Sequence, residues 1–254
     1  MRTSLAPNDL EAGASPADRV PGHGRDVEQL AALAGVGVTV TVCPGQTIVI
    51  EGDPIRHHFR IVSGTVRLYK AIADGRRQVI DFLGAGNWFG LTGVDRHTYS
   101  AEAVSPVTLI RYPKQKLEAA IQSDPGLAQA MFRLACAELD QAQQQMLLLG
   151  RKSADEKIAS FLLGLASHAE AAGHRQPLEH LVHLPMSRQD MADYLGLTIE
   201  TVSRTVSRFR RLGLIELIGR HHVALREVWR LKALADGLVP EVLEPAQLEA
   251  WLEA

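Results

Sequence analysis

Glu200, Ser203 and Arg204 bring a carboxylate, a hydroxyl and a guanidinium together in the run T-I-E-T-V-S-R, residues 198–204. Steps of three and one put all three on one edge of a helix. A guanidinium fork can donate two hydrogen bonds to the edge of one guanine, and a carboxylate can accept from the amino group of cytosine. This chemistry reads base pairs; it makes and breaks no covalent bond. Arg208, Arg210 and Arg211 follow further along, better placed for phosphate than for bases.

Those side chains need two short helices to hold them. Ser187 begins the first, Gly196 permits a sharp turn because it tolerates positive φ, and Thr198 caps the second by accepting a backbone N–H bond. Met191, Leu195, Val202, Val206 and Phe209 are spaced to bury one face and lock the helices together. Ile199, Glu200, Ser203, Arg204 and Ser207 then fall outside. Leu214–Ile218, Gly219-Arg220-His221 and His222–Leu225 predict a hairpin, or wing, with Arg220 at its tip as a backbone contact. Upstream, Ser153 and Glu156 have capping-box spacing for a scaffold helix carrying Ile158, Phe161, Leu162 and Leu165. Residues 169–184 read as a polar loop or short hairpin.

From about Val38 to Pro113 the pattern is β. Short runs rich in Val, Ile, Thr and Phe are broken by Pro44-Gly45, Gly52-Asp53, Gly64, Asp74-Gly75, Gly84, Gly86 and Gly90. Asp-Gly between Thr65–Lys70 and Gln78–Phe82 predicts a hairpin. Many short strands at this spacing predict a jelly roll or barrel. A short helix follows over Gln115–Gln122. After Asp124-Pro125 a long helix runs to about Gly150, with Met131, Ala135, Leu139, Ala142, Met146 and Leu149 in one apolar stripe. The stripe can cover the chain's own β-domain. Its narrowness and near-3.5-residue period favour packing against a second copy, which makes these six residues the candidate dimer interface.

Composition bounds the rest. The 254 residues, 46% hydrophobic and 22% charged, suit one or two globular domains. The net charge of −2 conceals 13 Lys plus Arg against nine Asp plus Glu in residues 151–232, and five acids with no base from 233 onward. The positive excess lies with the two-helix motif, where phosphate contacts require it. No run of about 18 apolar residues predicts a membrane span. The first 25 residues read as a leader without the apolar core of a secretory signal, so a cytoplasmic location is expected. Cys43 and Cys136 are too few and too far apart for a disulfide framework or a zinc site.

The segment Pro185–Leu217 and the β-rich region before it resemble the CRP/FNR family of bacterial transcription regulators, over roughly residues 28–230. T-I-E-T-V-S-R resembles the FNR and FixK branch, whose recognition helix carries Glu-x-x-Ser-Arg. The cyclic-AMP receptor branch has an arginine before the glutamate and a glycine where Ser203 stands; here Ile199 precedes Glu200. The resemblance implies an α+β fold: a cyclic-nucleotide-binding-like β-roll (28–122), a dimerisation helix (123–150) and a winged helix-turn-helix (151–230). A flexible leader (1–27) and an acidic extension (231–254) flank them. It further implies a homodimer on a TTGAT-like palindrome in double-stranded DNA. The contacts expected are Glu200, Ser203 and Arg204, supported by Thr198, Ser187, Arg188, Thr201, Arg208 and Arg220.

Cyclic-nucleotide pockets in the family carry Phe-Gly-Glu and Arg-Ser-Ala. This chain reads Phe89-Gly90-Leu91 and Tyr99-Ser100-Ala101, so both charged groups are replaced and cyclic-AMP control is not expected. An FNR-type iron–sulfur cluster needs four thiolates, and there are two cysteines. His57-His58, His97 and His221-His222 read as solvated turn histidines, and no cofactor is expected. By resemblance the loop Leu91–His97, with Thr92 and Asp95, contacts RNA polymerase. Two other readings compete: a cupin-like metal enzyme, disfavoured because adjacent His57 and His58 point to opposite strand faces, and a nucleotide-binding module without DNA contact.

Overall fold

The computed structural model describes residues 33, 35–171 and 181–237, with side chains from 168 to 171 left out. Eight strands form the N-terminal unit: β1 (Val38–Val42), β2 (Thr47–Val49), β3 (His57–Ser63), β4 (Val66–Ala71), β5 (Arg77–Leu83), β6 (Trp88–Phe89), β7 (Ser100–Ala103) and β8 (Val107–Pro113). They make two four-stranded antiparallel sheets, ordered β1-β8-β3-β6 and β2-β7-β4-β5. Alternate residues of each strand point inward, so Phe59, Ile61, Val66, Leu68, Val107 and Leu109 share one core between the sheets. Each fully buried Leu, Ile or Phe contributes about 1.5–3 kcal/mol.

Asp74-Gly75 makes the expected hairpin: Gly75 sits at φ +87° and the Asp74 carboxylate accepts the Arg76 N–H. Gly64, at φ +90°, is required twice over, because a Cβ there would lie 2.2 Å from the Pro106 carbonyl oxygen.

Helix α1 (Lys114–Ser123) follows β8 directly, and α2 (Pro125–Arg151) begins at Asp124, whose carboxylate accepts from Gly126 and Leu127 N–H. The first three turns of α2 cover the chain's own roll. Leu127 and Leu134 join Trp88, Tyr112 and Leu117 in a second core, with Met131 packed against it. Beyond that the helix loses its cover: Phe132 is 70% exposed, Leu139 59%, Met146 64% and Leu147 65%. Ala135 and Ala142 are exposed beside them, whereas Leu149 is half-buried. Of the predicted stripe, Met131 is therefore committed within the chain. Phe132 and Leu147, absent from the prediction, extend the uncovered face.

The C-terminal unit contains α3 (Ala154–Ala171), β9 (Leu181–His183), α4 (Arg188–Leu195), α5 (Ile199–Arg211), β10 (Ile215–Ile218), β11 (His222–Leu225) and α6 (Val228–Ala235). Ser153 and Glu156 close the predicted capping box. Helix α3 runs three residues into the segment read as a loop or short hairpin, and β9 adds a third strand to the wing, ordered β10-β11-β9. The boundary at 230 is also corrected. Leu231, Leu234 and Ala235 of α6 are buried in the same core as Ile158 and Leu162, so this unit extends through α6. The leader and the remainder of the acidic extension lie outside the described residues.

Candidate nucleic-acid interface

Helix α4 starts at Ser187, where the Asp190 N–H donates to Ser187 Oγ and the Ser187 N–H donates to Asp190 Oδ2. It ends at Gly196, φ +61°, and the chain turns at once toward Thr198. Thr198 Oγ1 accepts from the Thr201 N–H at 3.2 Å and starts α5. Val202, Thr205, Val206 and Phe209 are buried, while Glu200, Ser203, Arg204 and Ser207 are exposed and Thr201 is half-buried. The edge read from spacing is the edge the structure exposes.

Three predicted contacts have structural duties. Arg208 turns inward to an ion pair with Asp155, which also accepts from the Thr205 hydroxyl at 3.3 Å. Arg208 thus fastens α5 to α3 and is not free for phosphate, as its spacing had suggested; Arg210 and Arg211 are exposed. Ser187 is occupied as a cap. Arg188 is half-buried, with Nη1 3.4 Å from Met191 Sδ. Arg220 lies exposed at the wing tip beside Gly219, φ +63°.

The two units meet in a network that sequence reasoning missed. Arg67 of β4 donates to Asp190 at 2.6 Å and to Glu102 at 2.7 Å. Arg77 of β5 pairs with Asp190 and, at 2.6 Å, with Asp193. Gln145 of α2 donates to the Tyr194 carbonyl at 3.1 Å, and the Tyr194 ring packs with Phe82 and Phe161. The β4–β5 hairpin therefore grips α4 at Asp190, the residue that completes its capping box with Ser187.

Next to this grip, Asp81 of β5 accepts from Gln141 of α2. Burial, followed by the charge of Glu138, raises the Asp81 pKa to about 7, and burial raises that of Glu138 to about 7. A carboxyl with a raised native pKa adds stability when protonated, in full below its unfolded value near 4, and that gain is lost as pH rises toward 7. Urea unfolding of Asp81→Asn is expected to show a weaker fall in stability between about pH 4 and 7 than the parent chain. An unaltered pH profile would contradict this assignment.

Leu91 and Tyr99, read from the sequence as replacing two charged groups, are both engaged within the chain around Gly90. Tyr99 Oη accepts the Gly90 N–H at 2.8 Å, His58 Nδ1 lies 2.9 Å from the Gly90 carbonyl oxygen, and Leu91 packs against the core that contains Trp88. His58 and His97 are buried, which corrects their reading as solvated turn residues. Among the described residues no group of three or more His, Cys, Asp or Glu is placed to hold a metal ion, and no helix is long and apolar enough to cross a membrane.

Comparison with known proteins defines the class first. Residues 39–124 match the cyclic nucleotide-binding domain and residues 156–234 the Crp-like helix-turn-helix domain. The nitrogen fixation regulation protein FixK of Bradyrhizobium diazoefficiens is 40% identical over 210 residues, 83% of this chain and 87% of that protein. The transcriptional activator protein FnrL of Cereibacter sphaeroides is 36% identical over 81% and 84%. The solved structure of FixK2 from Bradyrhizobium japonicum superposes with a TM-score of 0.71 at 36% identity, covering 78% of this chain and 97% of that one. The chain belongs to the CRP/FNR family of transcription regulators, in its FixK branch, and is not an enzyme.

Proposed function

We propose that this regulator binds a TTGAT-like palindrome as a homodimer in the cytoplasm and activates transcription by touching RNA polymerase, without cyclic-AMP or iron–sulfur control. The observation that carries the reading is the exposed edge of Glu200, Ser203 and Arg204 over the buried Val202, Val206 and Phe209. The uncovered face of α2 supports a second copy. In a dimer, paired reading helices reach half-sites about 34 Å apart. The phenol of Tyr99 and the packed Leu91 supply neither of the charges a cyclic nucleotide needs, and the sequence holds only two cysteines. Loop 91–97 suits a polymerase contact: Asp95 stands almost fully exposed, paired with Lys114 at 2.9 Å, and Thr92 Oγ1 accepts from the Val94 N–H.

Selection of bound duplexes from a random library tests the reading. A TTGAT-type palindrome is expected, and Arg204→Ala should lose about 1–3 kcal/mol, roughly 5–150-fold, on that site while relaxing the preference at one base pair. Unchanged affinity of the variant would remove Arg204 from base recognition. Failure to enrich any sequence would remove the reading altogether.

A further inference from the structure

The wing carries a feature that base reading leaves unexplained. His183 of β9 stands directly opposite His222 of β11, with ring centroids 5.0 Å apart, and His221 approaches His183 at 6.4 Å. All three are exposed. Like charges directly opposite on neighbouring strands repel, so three imidazoles sit together comfortably only while neutral or beneath an anion.

Among the described residues the surrounding charges do not supply that anion. On β10, the acid of this sheet is Glu216, held by Arg226 at 2.6 Å. Arg220 at the tip adds a further cation. Asp190 on α4 is turned away to Arg67 and Arg77. Among the described residues the rings are not arranged with a further ligand to hold a metal ion. Partial burial and then the neighbouring His222 and His221 hold the His183 pKa below its ordinary value, and no carboxylate among the described residues opposes them.

The cluster also adjoins the reading unit. The Leu184 N–H donates to the His221 carbonyl at 2.7 Å, and three residues later Ser187 opens α4. His221 Nδ1 also lies 3.3 Å from the Leu184 carbonyl oxygen, so the cluster is tied to the turn that opens α4, the first helix of the motif.

We propose that His183, His221 and His222 form a proton-gated contact for the phosphodiester backbone flanking each half-site. The proposal rests on the DNA-binding reading above. Phosphates laid over the rings favour their protonated form, so binding takes up protons, and affinity rises as pH falls through the imidazole range. It is independent of sequence, because backbone contacts position without specifying.

Binding of the full chain to its selected palindrome, and to a scrambled duplex, should be measured between about pH 6 and pH 8 with and without a chelator, beside H183Q/H222Q. The parent chain is expected to bind both duplexes about tenfold more tightly at the acid end. H183Q/H222Q is expected to match it at about pH 8, lose most of that gain, and show a salt slope at about pH 6 shallower by about 0.9 for each contact removed. Asp81 and Glu138 also titrate near neutrality but are common to both proteins, so the difference between the two isolates the wing. Equal pH dependence in both proteins, with the variant's melting curve unchanged, overturns the proposal. So does a pH effect that the chelator abolishes, which would assign the rings to a metal. A parent chain that prefers no duplex at any pH fails the DNA-binding reading itself and takes this contact with it. Binding that persists with an unchanged slope fails the contact alone.

Discussion

Leu139→Glu combined with Met146→Glu is expected to yield a folded monomer that no longer holds its palindrome. Both side chains lie on the uncovered face of α2 and contribute little to the chain's own core, so their replacement should leave the melting temperature within a few degrees of the parent's. In the dimer the same positions would put like charges against each other across an apolar seam, which opposes association. A dimer engages both half-sites through one linked event, and losing the second engagement costs about 10²–10⁴-fold in apparent affinity. Sedimentation and titration with the full palindrome check both halves of the expectation. Binding to a single half-site should survive, because α5 is untouched. A variant that remains dimeric would place the interface elsewhere.

Asp190→Ala should be the most damaging single substitution for stability. The Asp190 side chain is 6% exposed, and its Oδ1 meets Arg67 and Arg77 while its Oδ2 holds Ser187. Removing it strands the Arg67 guanidinium, itself only 14% exposed, with Glu102 as remaining partner, and leaves Arg77 with Asp193. Breaking a buried pair by deleting one partner costs about 3–5 kcal/mol. Losing the Ser187 N–H bond to Asp190, half of the capping box, adds about 1 kcal/mol. Urea unfolding is expected to show the loss. Arg77→Ala, on a more exposed side chain that leaves the cap intact, should cost clearly less. Equal losses in the two variants would show that the shared carboxylate is not the centre of the contact.

What could be read from the chain alone was whatever is local. The turn at Gly196, the cap at Thr198 and the outward triad follow from spacing within about two dozen residues, and all appear where the pattern put them. The Asp74-Gly75 hairpin is legible for the same reason. The network on Asp190 joins residues more than a hundred positions apart, and no periodicity announces such a partner. Arg208 illustrates the error that follows. Its place on the helix left it facing outward, until Asp155, distant in sequence, supplied a charge to turn toward. Likewise α6 was hidden because its apolar residues fill a core formed by α3, which only the fold brings near.

The fastening of α5 has a thermodynamic corollary. Thr205 and Arg208 are both anchored on Asp155, so on the proposed reading the rod that would enter the groove is fastened to α3 before it meets any duplex. Freezing on contact is then confined to a few tips, each losing about 0.5–1.5 kcal/mol of rotamer freedom, while the main chain surrenders almost nothing. A mismatch cannot be absorbed by bending such a rod. Discrimination between sequences therefore reaches the reader undiluted by slack.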